Sequence, residues 1–190
     1  MNSKRLQQQI HFLVETDKLK EVIRKTFLID GSRYETVAEH SWHITLMAVL
    51  FLEYALPAVN IERVIKMTLI HDLVEIYTGD TFAFDNYDKK QVEDKEKDAA
   101  EKLFSLLPTD QSKEFLELWC EFENMTTTAS IYANAIDRLQ PFINEYYLNN
   151  RNGKVNNISQ EQLVARMSVL KEGTPILWSV IQAMIVDLFK

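Results

Sequence analysis

The segment IHDLVEIYTGD, residues 70–80, sets His71 beside Asp72 and adds Glu75 and Asp80. Ile70, Leu73, Val74 and Ile76 around them favour a core. Buried charge is costly unless it is paired or binds a metal. On a helix, His71 and Asp72 point about 100° apart and reach a common point beside the axis, and Glu75 lies one turn further on the same side. Asp80 falls just past the helix end. His40 lies on the apolar face of an upstream helical stretch, and Asp137 sits inside the apolar run YANAIDRLQPFINEYY. His40, His71, Asp72 and Asp137 offer imidazole and carboxylate donors from three helical segments. That set suits a borderline divalent ion such as Mn2+, Co2+ or Fe2+ and leaves positions for water and substrate. Taken singly, each residue has an ordinary explanation: a core histidine, a surface acid, a local pair of Asp137 with Arg138. Their joint occurrence points to a site.

The elements that must position these residues read as helix after helix. Leu6, Ile10, Phe12 and Leu13 predict an amphipathic helix after Ser3, and a shorter one covers about 17–25. Asp30-Gly31-Ser32 marks a loop. Thr36 with Glu39 forms a capping-box pattern opening a helix to about Tyr54, with Val37, His40, Ile44, Met47 and Phe51 on one face. Asn60 caps the next helix, which runs to about Tyr77 and stops at Gly79. Thr81–Tyr87 reads as a loop. Helices follow over about 89–107, 112–122 and 127–150, the last containing Pro141, then 160–171 and, after Gly173-Thr174-Pro175, to Phe189. No segment reads as a strand. Trp42, Trp119 and Trp178 read as core residues. The expected architecture is an all-α, single-domain bundle of about eight helices.

Composition sets limits on function. The chain has 190 residues with four glycines and four prolines, too little punctuation for a strand-and-turn fold. Its net charge of -7 offers no basic face for a nucleic-acid polymer. Cys120 is the single cysteine, and the N-terminal residues lack a signal peptide's apolar stretch, which fits a reducing cytoplasm. No run approaches the roughly 18 apolar residues of a membrane span.

The motifs VAEHS at 37–41, HDLVEIYTGD at 71–80 and NAIDRL at 134–139 resemble those of the HD-domain metal-dependent phosphohydrolases, within them the branch of the 5′-deoxyribonucleotidases. The likeness runs over about 8–150, leaving C-terminal helices at 158–190 within one HD-type domain, 1–190. It implies that His40, His71, Asp72 and Asp137 are metal ligands. Glu75 takes the place of the catalytic carboxylate, and Asp80 that of a carboxylate beside the nucleotide's sugar, counted here with the catalytic group as well. An arginine followed by an aromatic residue precedes the first ligand in such proteins, and Arg24, Lys25 and Phe27 are the matching substrate-binding candidates. The family's metals are Mn2+, Co2+ or similar ions, with Fe2+, Mg2+ and Zn2+ as further options, and its members are typically cytoplasmic homodimers. Only His11 and His43 are spare histidines, and neither lies between Asp72 and Asp137, so one ion per chain is expected rather than a dinuclear centre.

The reading is therefore a metal-dependent phosphomonoesterase that hydrolyses nucleoside 5′-monophosphates, of the deoxy series, to nucleoside and phosphate. Its partner is a small nucleotide, not a polymer or a membrane. One rival is an HD hydrolase of nucleoside triphosphates or pyrophosphate-type nucleotides, which needs a clustered basic pocket. Another is a non-catalytic helical module with a structural metal, which needs neither Glu75 nor an open coordination position. The apolar stretch PILWSVIQAMIVDLF, 175–189, offers Trp178, Ile181, Met184, Ile185 and Phe189 either to a dimer interface or to the monomer's own core.

Overall fold

Why these residues build a helical frame is clearest at the element that carries His40. In the computed structural model, which describes residues 3–85, 88–152 and 158–189, helix α2 runs over Val37–Leu50 and opens on the expected capping box. Glu39 N–H donates to Thr36 Oγ1 at 3.2 Å, and Thr36 N–H donates to Glu39 Oε2 at 2.9 Å. Both pairs satisfy backbone or side-chain groups that a helix start leaves open. Helix α1 covers Ser3–Thr16. Helix α3 covers Ile61–Ile70, and Asn60 Oδ1 caps it by accepting from Arg63 N–H at 3.1 Å. The short α4, Glu75–Thr78, ends at Gly79, whose φ of 74° a side chain would disfavour. Helices α5 (Lys89–Phe104), α6 (Thr109–Asn124), α7 (Thr128–Asn152), α8 (Gln160–Met167), α9 (Leu170–Gly173) and α10 (Pro175–Leu188) complete the fold.

The centre of the core is α7. Tyr132, Ala133, Ala135, Ile136 and Leu139 are buried there against Val37, Ile44 and Ala48 of α2 and Val64 and Met67 of α3. Tyr132 donates its hydroxyl proton to the Ala48 carbonyl at 2.8 Å, which satisfies a buried phenol without opening the core to water. Alanines at 133 and 135 let helices approach, and Gly173 of α9 comes closer still. A Cβ built on Gly173 would stand 2.9 Å from Ala135 Cβ and 3.1 Å from the Ile131 carbonyl oxygen.

Three differences from the sequence reading, and one alternative that it left open, bear on function. The segment expected as a helix over 17–25 is a 3-10 turn, Asp17–Glu21, followed by strand β1, Ile23–Phe27. β1 pairs antiparallel with β2, Tyr34–Thr36, with Ile23 opposite Thr36 and Phe27 opposite Tyr34. The long helix expected to reach Tyr77 breaks instead at His71–Val74, which wind as a 3-10 turn before α4. Trp42 is 65% exposed rather than core, whereas Trp119 and Trp178 are buried. The apolar face of 175–189 turns inward: Trp178, Ile181 and Ile185 belong to the core, so this stripe closes the monomer. In the expected loop 81–87, Tyr87 lies outside the described residues.

Candidate active site

The break at His71 is the local event that makes the site. At the end of α3, the His71 carbonyl accepts a hydrogen bond from Trp119 Nε1–H of α6 at 3.1 Å. His71 Nδ1–H donates to the Thr68 carbonyl at 3.1 Å. Backbone and ring are thus fixed from opposite sides, and the ring lies 4.7 Å from that of Phe122. With Nδ1 spent on a carbonyl, Nε2 is the ring atom turned to the carboxylates, able to hold a proton there or to give its lone pair to a cation. That atom is buried and makes no hydrogen bond, although Asp72 Oδ2 lies 3.1 Å away and Asp137 Oδ1 3.6 Å away.

His40 is built the same way. Its ring is fully buried, and Nδ1–H donates to Gln140 Oε1 at 3.0 Å. The amide of Gln140 is oriented by donating from Nε2 to Glu35 Oε2 at 2.9 Å. His40 Nε2 then faces Asp137 Oδ1 at 2.9 Å and Asp72 Oδ2 at 3.8 Å. The donor atoms of His40, His71 and Asp72 all lie within 4.8 Å of one another, and Asp137 closes the group from α7. Two imidazole lone pairs aimed at carboxylate oxygens repel unless a proton or a cation stands between them. The four expected ligands therefore converge, with the tautomers and the orphaned nitrogen that a divalent ion requires. Nitrogen and carboxylate donors without thiolate match the borderline ions better than a soft metal.

The electrostatics point the same way. Burial alone would lower the His71 pKa, but the charges of Asp72 and Asp137 outweigh it and raise it to about 10. Burial likewise opposes ionisation of Asp72 and Asp137, yet the two histidines hold Asp137 well below the usual carboxylate range and His71 lowers Asp72. Glu75 differs. Burial first, then the charges of Asp72 and Asp80, push its pKa up to about 10. Its Oε2 is buried with no hydrogen-bond partner. Burial also raises Glu96 and Glu123 to about 7. A cavity of about 250 Å3 collects these groups apart from His40. Its walls hold the carboxyl groups of Asp72, Glu75, Asp80, Glu96, Glu123 and Asp137 together with the guanidiniums of Arg24, Arg138 and Arg166.

Of the substrate-binding candidates, Arg24 reaches this cavity and Lys25 and Phe27 do not. The reason is strand alternation: on β1, Arg24 and Thr26 line this cavity, whereas Lys25 lines only the adjoining compartment beside Phe82. Arg24 Nε donates to Glu35 Oε1 at 3.1 Å, and Nη1 lies 3.3 Å from both Asp72 Oδ2 and Asp80 Oδ1. Lys25 pairs with Asp85 at 2.5 Å on the surface, and Phe27 stacks on Tyr34 with ring centres 4.1 Å apart. Glu39 and Arg33 pair with each other at the surface.

Three contributors escape sequence reasoning. Glu35, 2% exposed, joins Arg24 to Gln140 and so to His40. Gln140 carries the signal that could have found it: a polar residue one turn after Asp137 in an otherwise apolar helical run. Trp119 and Glu35 carry none: Trp119 bonds a residue 48 positions away, and Glu35 bonds Gln140, 105 positions away, as well as Arg24, 11 positions away.

Comparison with known proteins matches residues 16–178 to the family model described as HD domain. The chain is 29% identical over 132 residues to human 5′-deoxynucleotidase HDDC2, covering 69% of this chain and 63% of that protein. It is 26% identical over 145 residues to 5′-deoxynucleotidase hdd1 of Schizosaccharomyces pombe, covering 74% and 72%. A crystal structure from Magnetospirillum magnetotacticum MS-1, described as a "predicted metal-dependent phosphohydrolase", superposes with a TM-score of 0.90 at 40% identity, over 98% of this chain and 96% of that one.

Proposed function

The chain belongs to the HD domain family, and from that premise we propose that it is a metal-dependent phosphohydrolase releasing phosphate from deoxyribonucleoside 5′-monophosphates. The single observation that carries this reading is the convergence of His40, His71, Asp72 and Asp137 with an unbonded His71 Nε2, beside an unpartnered buried Glu75 oxygen. The 5′-deoxynucleotidase names of the human and yeast relatives supply the substrate class.

In this reading His40, His71, Asp72 and Asp137 hold one divalent ion, Mn2+ or Co2+ by donor type. When bound, such an ion polarises a phosphate oxygen and acidifies water. Glu75 accepts the proton of the attacking water on its unpartnered Oε2; burial first, and then Asp72 and Asp80, raise its pKa, and a bound cation would lower it. The P–O5′ bond breaks, and the proton passes to the departing nucleoside oxygen. Arg24 neutralises the phosphate, and Glu35, Asp72 and Asp80 hold its guanidinium in place. Asp80, mostly buried beside Arg24, accepts hydrogen bonds from the sugar.

Two finer points belong to the same proposal. The protein works as a homodimer, and the supporting surface is on α2: Trp42, Leu46, Val49 and Leu50 are exposed beside Leu69 of α3, an apolar stripe left uncovered by the described residues. It works in the cytoplasm, on small nucleotides rather than polymers; among the described residues no helix is long and apolar enough to cross a membrane. The test is release of free phosphate by metal-stripped and Mn2+-restored protein from nucleoside mono-, di- and triphosphates. Mn2+-dependent release confined to deoxynucleoside monophosphates supports the proposal. Release from triphosphates alone, or none at all, refutes it.

A further inference from the structure

The cavity around the metal cluster continues beyond it. Phe82, Phe84, Pro141 and Arg166 line both that cavity and a second, apolar compartment. Phe142 of α7, Met167 of α8 and Phe189 after α10 close its far side. So the C-terminal helices help to wall the substrate's space.

Phe82 and Phe84 follow Asp80 at alternate positions of one loop. Their rings meet edge to face with centres 5.6 Å apart. Both are half-buried, and neither joins the hydrophobic core. Cations brace them from the rim: Lys25 Nζ lies 5.6 Å from the centre of the Phe82 ring, and the Arg166 guanidinium 5.9 Å from that of Phe84. Large rings placed outside the core, facing a cavity and held in position, are the arrangement that stacks a flat aromatic ligand.

We propose that this compartment receives the nucleobase of the substrate, stacked on Phe82 and Phe84 while the phosphate sits at the metal cluster. The inference rests on the phosphomonoesterase reading and names what lies at the other end of the substrate. Asp80, Phe82 and Phe84 line the cavity of the metal-ligand residues, and Phe82 and Phe84 also line the apolar compartment, so the two rings stand where the cavities meet. Stacking uses the π-face that every base has, so the compartment recognises a base without requiring one particular base.

The test compares kcat/KM for deoxyadenosine 5′-monophosphate with that for 2-deoxyribose 5-phosphate, which keeps phosphate and sugar and lacks the base. Wild-type protein with Mn2+ should prefer the nucleotide on the order of tenfold or more, the worth of one stacked base. Phe84→Ala should shrink that ratio toward one, and Phe84→Tyr should restore it. A wild-type ratio near one, or a ratio that Phe84→Ala leaves intact, overturns the base compartment while the phosphatase reading stands. Inactivity toward both compounds overturns the phosphatase reading and this inference with it.

Discussion

Replacing Glu35 by glutamine removes one charge from a carboxylate that no solvent reaches. It should change the metal site through two intermediaries. Glu35 accepts from Arg24 Nε at 3.1 Å and from Gln140 Nε2 at 2.9 Å, and both partners are donors. A glutamine there presents one oxygen and one NH2 group, so one partner faces donor against donor. If that partner is Gln140, its amide must flip and turn its own NH2 toward His40 Nδ1–H, now 3.0 Å from the amide oxygen. His40 then keeps its proton only by moving it to Nε2, the atom that faces Asp137. If the partner is Arg24, the guanidinium loses a charge-assisted bond of about 1.5–3 kcal/mol. Metal affinity of Glu35→Gln should fall about 10- to 100-fold, the usual worth of a residue that orients a ligand. The assay is equilibrium Mn2+ titration, with a thermal melt of the metal-free protein to separate folding from binding. The double swap Glu35→Gln with Gln140→Glu restores an acceptor for His40 Nδ1–H and should recover metal affinity, while Arg24 remains without its carboxylate. Unchanged Mn2+ affinity in the single variant would show that Gln140 does not set the His40 tautomer, and the reasoning fails.

His71→Ala or Asp72→Ala should abolish stoichiometric Mn2+ in purified protein; full metal retention by both, read by elemental analysis, would remove the site as drawn. Gly173→Ala should cost about 1–3 kcal/mol by forcing a methyl against Ala135 Cβ at 2.9 Å, and Ala135→Gly should relieve it; an unchanged denaturation midpoint contradicts the close approach. The hydrogen bond from Arg33 lowers the Glu39 pKa to about 2, from an unfolded value near 4.5. Its stabilisation is therefore present above pH 4.5 and is lost as pH falls toward 2. Because the Glu39 side chain is 41% exposed, that gain is at most about 1 kcal/mol. The melting temperature of Glu39→Gln should lie below wild type at pH 7 and merge with it near pH 2; a gap that widens in acid reverses the sign.

The convergence of His40, His71, Asp72 and Asp137 was legible because such residues are rare among apolar neighbours. An imidazole at 40 on a core-facing stripe and a carboxylate at 137 in an apolar helix both demand partners, and their types name the partner's chemistry. The path of the backbone through the motif was not legible. Residues 61–77 have continuous helical periodicity, yet the Trp119 indole takes the His71 carbonyl and the helix breaks there. Residues 17–25 mix leucine, lysine and valine in a helix-compatible order, and only pairing with Tyr34–Thr36 makes the second half a strand. That strand decides which of Arg24, Lys25 and Phe27 lines the cavity beside His71 and Asp72. Glu35, one glutamate among many in the sequence, acquires its meaning from α7, about a hundred positions away.

The measurement that bears most directly on the central claim is phosphate release from a deoxynucleoside 5′-monophosphate by Glu75→Gln at known metal occupancy. Glu75 stands one turn past His71 and Asp72, with a buried oxygen that makes no hydrogen bond among the described residues. Glutamine keeps its shape and removes the base. With about one Mn2+ per chain retained, turnover should fall on the order of 10²–10⁴-fold, while nucleotide binding changes little. Wild-type turnover at full occupancy would contradict the account.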